Sequence, residues 1–191
     1  MVDERSFSLS DVARRLDVPQ HRLIHLCEKG VVVPDVHDAA GRGSSRVFSS
    51  RNFLELAVAL RLREMMLPVT AVGAIVHVLR AFEQQLRKDL PDFSLADGLR
   101  DPRSPDLRVI ISDGQTIYFS LGMPGQKPKL FGGIPLEQLS GGTARWDGRI
   151  EAVRRRAGAN RDTDGFGGPE HSQFARLELS VTAISKALPI D

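Results

Sequence analysis

Apolar residues recur at Leu9, Val12, Ala13 and Leu16, the i, i+3, i+4, i+7 spacing of one helix face. Ser8 or Ser10 can accept from the orphan amides at its start, so a short helix ending near Leu16 is expected. Asp17-Val18-Pro19 makes a tight connection. Pro19 suits the first turn of a second helix, whose inward positions are Leu23, Leu26 and Cys27 and whose stop is Gly30. Next come the β-prone run Val31-Val32-Val33-Pro34, a polar loop from Asp35 to Ser45, and Arg46-Val47-Phe48, together the pattern of a hairpin. Ser49 or Ser50 can cap a third helix with apolar Phe53, Leu54, Ala57, Leu60 and Leu62, ending near Leu67. Pro68 opens a fourth, running to about Leu90.

Beyond Leu90 the pattern changes. Residues 92–106 are rich in Pro, Asp and Arg and read as linker with one helical turn around Leu95 to Leu99. Leu107 to Ile111 and Thr116 to Leu121 are β-prone runs around Asp113-Gly114, a strong hairpin signal. A further strand is expected at Lys129-Leu130-Phe131, then a short turn of helix over Ile134 to Leu139 and a helix over Arg149 to Ala157. Gly158 to Ser172 reads as a flexible loop. From Phe174 to Ala183, Leu177, Leu179, Val181 and Ala183 alternate with polar residues, the pattern of a half-buried strand. The expectation is an α+β chain: a helical N-terminal domain over 5–90, a linker over 91–106, and a small domain over 107–191 with a mostly antiparallel sheet.

Composition supports two small packed domains. Of 191 residues, 41% are hydrophobic and 26% charged, which excludes a disordered or low-complexity chain. The part up to Leu90 holds only four of the 17 glycines and three of the 11 prolines. One cysteine, Cys27, excludes an internal disulfide or a multi-thiolate zinc site; on an inner helix face it serves as a small hydrophobe. Met1 to Arg5 carries early acids and no apolar run after them, unlike a secretory signal, so a cytoplasmic protein is expected. The most apolar stretch, Met65 to Leu79, is broken by Pro68, Thr70, Gly73 and His77 and falls short of the roughly 20 residues a bilayer needs. Net charge is only +2, so any nucleic-acid footprint must come from local arginine clusters.

Two short helices joined by a three- or four-residue turn, with Val18 plugging the corner, form a helix-turn-helix arrangement, whose second helix enters the major groove of DNA. Over roughly Phe7 to Leu79 the chain resembles the MerR-type winged helix-turn-helix regulators. The resemblance rests on Phe7 to Val18, on Leu23 followed by Gly30, on Val33-Pro34, on Arg46-Val47-Phe48-Ser49, and on Leu62-Arg63-Glu64 before the fourth helix. It implies an N-terminal winged helix-turn-helix with two following helices, a homodimer on double-stranded DNA, and a second domain that meets an effector or partner. Where the family usually carries an arginine and two tyrosines in the recognition helix, this chain has Ile24, His25 and Leu26. Ser44-Ser45 and Phe48 replace the customary wing glycine and tyrosine. The family's sequence preference therefore does not transfer. Pro91 ends the helical pattern where the usual long dimerisation helix would run, leaving only Ala81 to Leu90.

With Leu23 and Leu26 facing the core, Gln20, His21, Arg22 and His25 form the outer face of the second helix. Arginine can make two hydrogen bonds to guanine O6 and N7, and glutamine can pair with adenine N6 and N7, so Arg22 and Gln20 are the candidates for base readout. Arg42, Arg46 and Arg51, with Ser44 and Ser45 among them, are candidates for phosphate contact, joined by Arg14 and Arg15 on the first helix. No cofactor or metal is expected. Asp35-Val36-His37-Asp38 sets two carboxylates beside an imidazole, yet a wing loop explains it better, because further ligands would have to come from His21, His25, His77 or His171. Asn160 to Gly165 copies half a calcium loop, but position twelve is His171 instead of an acid. Gly141-Gly142-Thr143 lacks the lysine of a phosphate loop. Arg154-Arg155-Arg156 reads as a solvated helix end. The functional expectation is a sequence-specific DNA-binding transcription regulator and not an enzyme. The alternative is an adaptor or antitoxin-like module whose winged domain grips a protein. An enzyme reading would need a pocket converging on His171, Glu170 and Asp164.

Overall fold

The computed structural model describes residues 5–37, 45–88, 91, 93–112, 116–135 and 176–190. Helices and antiparallel sheets are mixed, an α+β chain. It divides into two units, Met1–Asp101 with Ala183–Asp191, and Pro102–Thr182.

In the first unit, strand β1 (Ser6–Ser8) runs directly into helix α1 (Leu9–Arg15). Ser8 accepts from the Asp11 amide at 3.1 Å while the Asp11 carboxylate accepts from the Ser8 amide at 3.3 Å, a reciprocal capping box. Helix α2 (Gln20–Glu28) follows after a four-residue turn, with Pro19 at its N-cap. Strand β2 (Val47–Ser49) lies antiparallel to β1 with Phe7 opposite Phe48, and leads into α3 (Ser50–Glu64), capped by Ser49. Helix α4 (Val69–Leu86) and the single turn α5 (Leu95–Gly98) complete this part of the chain. Every residue of α3 from Asn52 to Leu60 is buried, so this helix is the axis around which the unit packs.

Three helix ends use the same closure. The Val18 and Asp17 amides bond the Ala13 and Arg14 carbonyls after α1; Val31 and Gly30 bond Leu26 and Cys27 after α2; Leu67 and Met66 bond Leu62 and Arg63 after α3. Each closure needs one left-handed residue: Asp17 (φ 53°), Gly30 (φ 66°) and Met66 (φ 65°). Only Gly30 adopts it without a Cβ penalty.

The expected pairing of Val31 to Pro34 with Arg46 to Phe48 is not formed. The closure after α2 turns Val31 and Val32 into the core, both buried, and β2 takes β1 as its partner instead. Among the described residues the returning chain forms one isolated β-bridge with the loop, between His37 and Val47, which exchange backbone hydrogen bonds of 3.2 and 2.8 Å.

The second unit is a four-stranded antiparallel sheet in the order β5 (Lys129–Pro135), β4 (Thr116–Gly122), β3 (Asp106–Ser112), β6 (Arg176–Ser180). Ser112 sits opposite Thr116, the register of the expected hairpin; residues 113–115 lie outside the described residues. The strand at Lys129 continues through Ile134 and Pro135, where a helical turn was expected. A bulge between Ile117 and Tyr118 accommodates Gly132 (φ 105°) and Gly133 (φ 78°). A Cβ on Gly132 would come within 3.0 Å of the Ile117 carbonyl oxygen. β6 stops at Ser180, and Val181 starts helix α6 (Val181–Ala187), so the strand expected to reach Ala183 is three residues shorter.

The last residues, grouped by sequence with the second domain, belong to the first unit. Leu188 and Ile190 are buried, the Ser185 hydroxyl donates to the Ala96 carbonyl at 2.8 Å, and Arg5 donates to the Ile190 carbonyl at 3.0 Å. The readings at Leu136 to Leu139, Gly141 to Thr143, Arg149 to Ala157 and Gly158 to Ser172, with Arg154 to Arg156, Asp164, Glu170 and His171, lie outside the described residues.

Candidate nucleic-acid interface

Helix α2 sorts its side chains as its periodicity requires. Leu23 and Leu26 are buried, whereas Gln20, His21, His25, Glu28 and Lys29 are exposed and Arg22, Ile24 and Cys27 half-buried. His21 and His25, four apart, share one face with Gln20 beside them at the N-terminal end. Of the expected outer face, Gln20, His21 and His25 are exposed and Arg22 is half-buried.

The arginines divide into two groups. Arg14 is largely exposed and pairs with Asp11 at 3.3 Å across one helical turn, a solvated contact worth little. That arginine and the Ser8 hydroxyl, the larger influence, hold the Asp11 carboxyl below its ordinary range. Arg46 is half-buried at the root of the loop and Ser45 is exposed beside it; Arg42 and Ser44 lie outside the described residues.

Arg15 and Arg51, two of the candidates for phosphate contact, have partners within the fold. The Arg15 guanidinium lies 5.3 Å from the Phe7 ring centroid and donates to the Pro189 carbonyl. Phe7 in turn packs edge-to-face on Phe53, centroids 5.2 Å apart. Arg51 reaches inward to Asp35 at 2.7 Å and to buried Glu83 at 3.6 Å. A guanidinium holding two carboxylates tethers the base of the loop.

Arg51 is one member of a polar network that sequence reasoning missed. The Asp35 carboxylate accepts from the Ser49 hydroxyl and Arg51, both at 2.7 Å, and the Asp35 amide donates to Asn52 Oδ1 at 2.8 Å. Asn52 Nδ2 donates to the Val33 carbonyl at 3.1 Å and to Glu55 at 2.9 Å. Arg80 grips Glu55 with a two-pronged contact of 2.8 and 2.5 Å, which raises its own pKa. Glu83 accepts from the Leu95 amide at 2.9 Å and faces Arg87 at 3.1 Å. Burial pushes the Glu83 carboxyl above its ordinary range, against the pull of the Leu95 amide, Arg87 and Arg51. Three carboxylates and three guanidiniums thus lock the base of the loop to α3, α4 and α5. The sequence signal was a polar pair, Glu55 within the otherwise apolar run from Phe53 to Leu60 and Asn52 at its edge.

No protein-family model matches the chain, and no curated protein matches it. The interface therefore rests on geometry. Among the described residues, no three His, Cys, Asp or Glu side chains gather as metal ligands; Asp35 is instead occupied by Ser49 and Arg51. No described helix is long and apolar enough to cross a membrane.

Proposed function

We propose that the first unit is a MerR-like winged helix-turn-helix that binds double-stranded DNA in a sequence-specific way, as a homodimeric transcription regulator. The observation that carries this reading is the polarity of α2: its leucines are buried, whereas Gln20, His21 and His25, all able to hydrogen-bond, are exposed. In this arrangement α2 lies in the major groove. Arg22 supplies two donors to a guanine edge and Gln20 a donor and an acceptor to an adenine edge. His21 and His25 extend the row. Ser45 and Arg46, joined by Arg14 and by Arg42 and Ser44 from the rest of the loop, face phosphates and fix the register. Arg15 and Arg51 are left out of the contact set because their guanidiniums serve the fold.

The test is selection of bound fragments from random duplex DNA. A palindromic consensus with half-sites about one helical turn apart is expected, because a two-fold dimer presents two recognition helices at that separation. Recovery of unenriched sequence would refute specific recognition. A second reading, an adaptor that grips a protein, draws on the exposed apolar side chains of Val33 and Val36 near the base of the loop. It would be favoured if duplex binding survived joint replacement of Arg22, Arg42 and Arg46 by alanine.

A further inference from the structure

We infer that the hairpin of β4 and β5, in the second unit, is a further nucleic-acid contact. Its tip is a basic finger that sets Lys127 and Lys129 on phosphates of duplex DNA, with Met123 against the adjoining sugars. The choice of duplex DNA as the polyanion rests on the reading of the first unit; the finger itself rests on the sheet. From Thr116 to Pro135 the chain carries two charged residues, Lys127 and Lys129, and no acid. Every residue from Met123 to Lys129 is exposed, Met123 at 44%.

The tip is a preformed turn. The Gln126 amide donates to the Met123 carbonyl at 3.0 Å and Gly125 takes φ 73°, which with Pro124 before it makes a type II turn. Proline presets the first dihedral and glycine supplies the left-handed one, so the end of the hairpin holds its shape without a core of its own. Pro128 confines Lys127, the residue before it, to extended backbone. Leu121 pairs with Lys129, and the same register continued one step sets Gly122 opposite Pro128 and the next sets Met123 opposite Lys127. A Cβ on Gly122 would lie 3.7 Å from that of Pro128 and 3.9 Å from that of Asp106, which puts these three on one face. Met123, Lys127 and Lys129 alternate with them and take the other.

That face carries charge which the fold does not cancel. Among the described residues no carboxylate pairs with either lysine. Asp106, the acid that pairing with Gly122 brings to this end of the sheet, stands on the opposite face. It is held there by Arg108 at 2.5 Å and by the Ser180 hydroxyl at 3.2 Å. About 7 Å of extended chain separates the Cα atoms of the two lysines. Their flexible four-carbon stems let each ammonium settle on its own phosphate of one strand. A methionine beside them suits the apolar edge of a sugar, the use that groove-binding proteins make of apolar side chains. A lipid headgroup layer is the poorer match, since adsorption there draws on clusters of about four or more cations.

Salt titration of the full chain on a selected duplex with random flanks tests the finger. Lys127→Ala with Lys129→Ala should make the slope of log binding constant against log salt shallower by about 1.8, two phosphate equivalents. A fourfold rise in salt then weakens the variant about twelvefold less than the wild type. Lys127→Arg with Lys129→Arg should keep the wild-type slope, because charge is what the phosphates answer to. A second measurement locates the tip with both lysines in place. In a Cys27→Ser background, Gln126→Cys keeps the backbone amide of the turn; carrying an iron chelate that cleaves nearby sugars, it should cut the duplex at a fixed position, where the background alone does not. Duplex binding whose salt slope is flattened by Arg46→Ala but untouched by the alanine pair would overturn the finger and leave the DNA reading standing. A wild type that binds no duplex would overturn both. Cleavage at no fixed position, or an alanine pair that loses its hold on phosphatidylglycerol vesicles while its duplex slope stays at the wild-type value, would also overturn the finger.

Discussion

Asn52 is the position at which the base of the arginine loop can be released with one atom group. Its carboxamide is fully buried, accepts from the Asp35 amide at 2.8 Å, and donates to the Val33 carbonyl at 3.1 Å and to Glu55 at 2.9 Å. In Asn52→Ala, Glu55 keeps its two contacts with Arg80, so its loss is small. The Asp35 amide and the Val33 carbonyl lose their partner, at roughly 1–3 kcal/mol for a buried group left unsatisfied and less where water can enter. Alanine returns about 0.5 kcal/mol in helix propensity. The expected net cost is about 2–3 kcal/mol. Asn52→Asp keeps the acceptor for Asp35 but turns the donor into an oxygen facing a carbonyl and a carboxylate, so it should cost more than alanine despite its closer shape. Urea unfolding at neutral pH reads both, provided the slope with denaturant is unchanged. An alanine cost below about 1 kcal/mol, or aspartate milder than alanine, would refute the network as drawn.

Glu83→Gln should alter the pH dependence of stability in one direction. Burial raises the native carboxyl above its unfolded value, so the folded state holds its proton longer; that contribution is complete at acid pH and is lost as pH rises through the native value. The glutamine variant lacks this loss and can still accept from the Leu95 amide, so its stability relative to wild type should climb from about pH 4 toward neutrality. A constant difference would contradict the assignment. Met66→Gly should stabilise by roughly 0.5–1 kcal/mol in thermal unfolding, since it removes a left-handed methionine that is 85% exposed; no gain would show that the backbone there is unstrained. Ser8→Ala should cost about 1 kcal/mol as a lost N-cap. In the same variant the Asp11 carboxyl should move up toward its ordinary range by NMR titration, and an unmoved value would dissociate the two.

Where one residue pattern had one physical meaning, sequence reading and structure agree. The heptad-like apolar positions placed α1, α2 and α3, and the caps Ser8 and Ser49 are those the hydroxyls suggested. Asp113-Gly114 marked the hairpin between β3 and β4. Disagreement arose where a pattern changed meaning mid-run. Leu177 and Leu179 obey the two-residue period of a strand, but Val181 also begins the helical spacing of Val181, Ile184 and Leu188, and the helix prevails. Val31 to Val33 are β-prone in isolation, yet the closure after α2 spends the first two as core. At the candidate interface the outer face of α2 was legible because burial of Leu23 and Leu26 dictates it. The inward use of Arg15 and Arg51 was not, because their partners Pro189, Asp35 and Glu83 are separated from them by the fold and not by any local spacing.

The slope of log binding constant against log salt, measured on a selected duplex for the wild type and for Arg46→Ala, tests the DNA reading most directly. If Arg46 neutralises one phosphate at the root of the loop, the slope should become shallower by about 0.9 in the variant. An identical slope in the two proteins, or a wild type whose binding does not respond to salt, would contradict it.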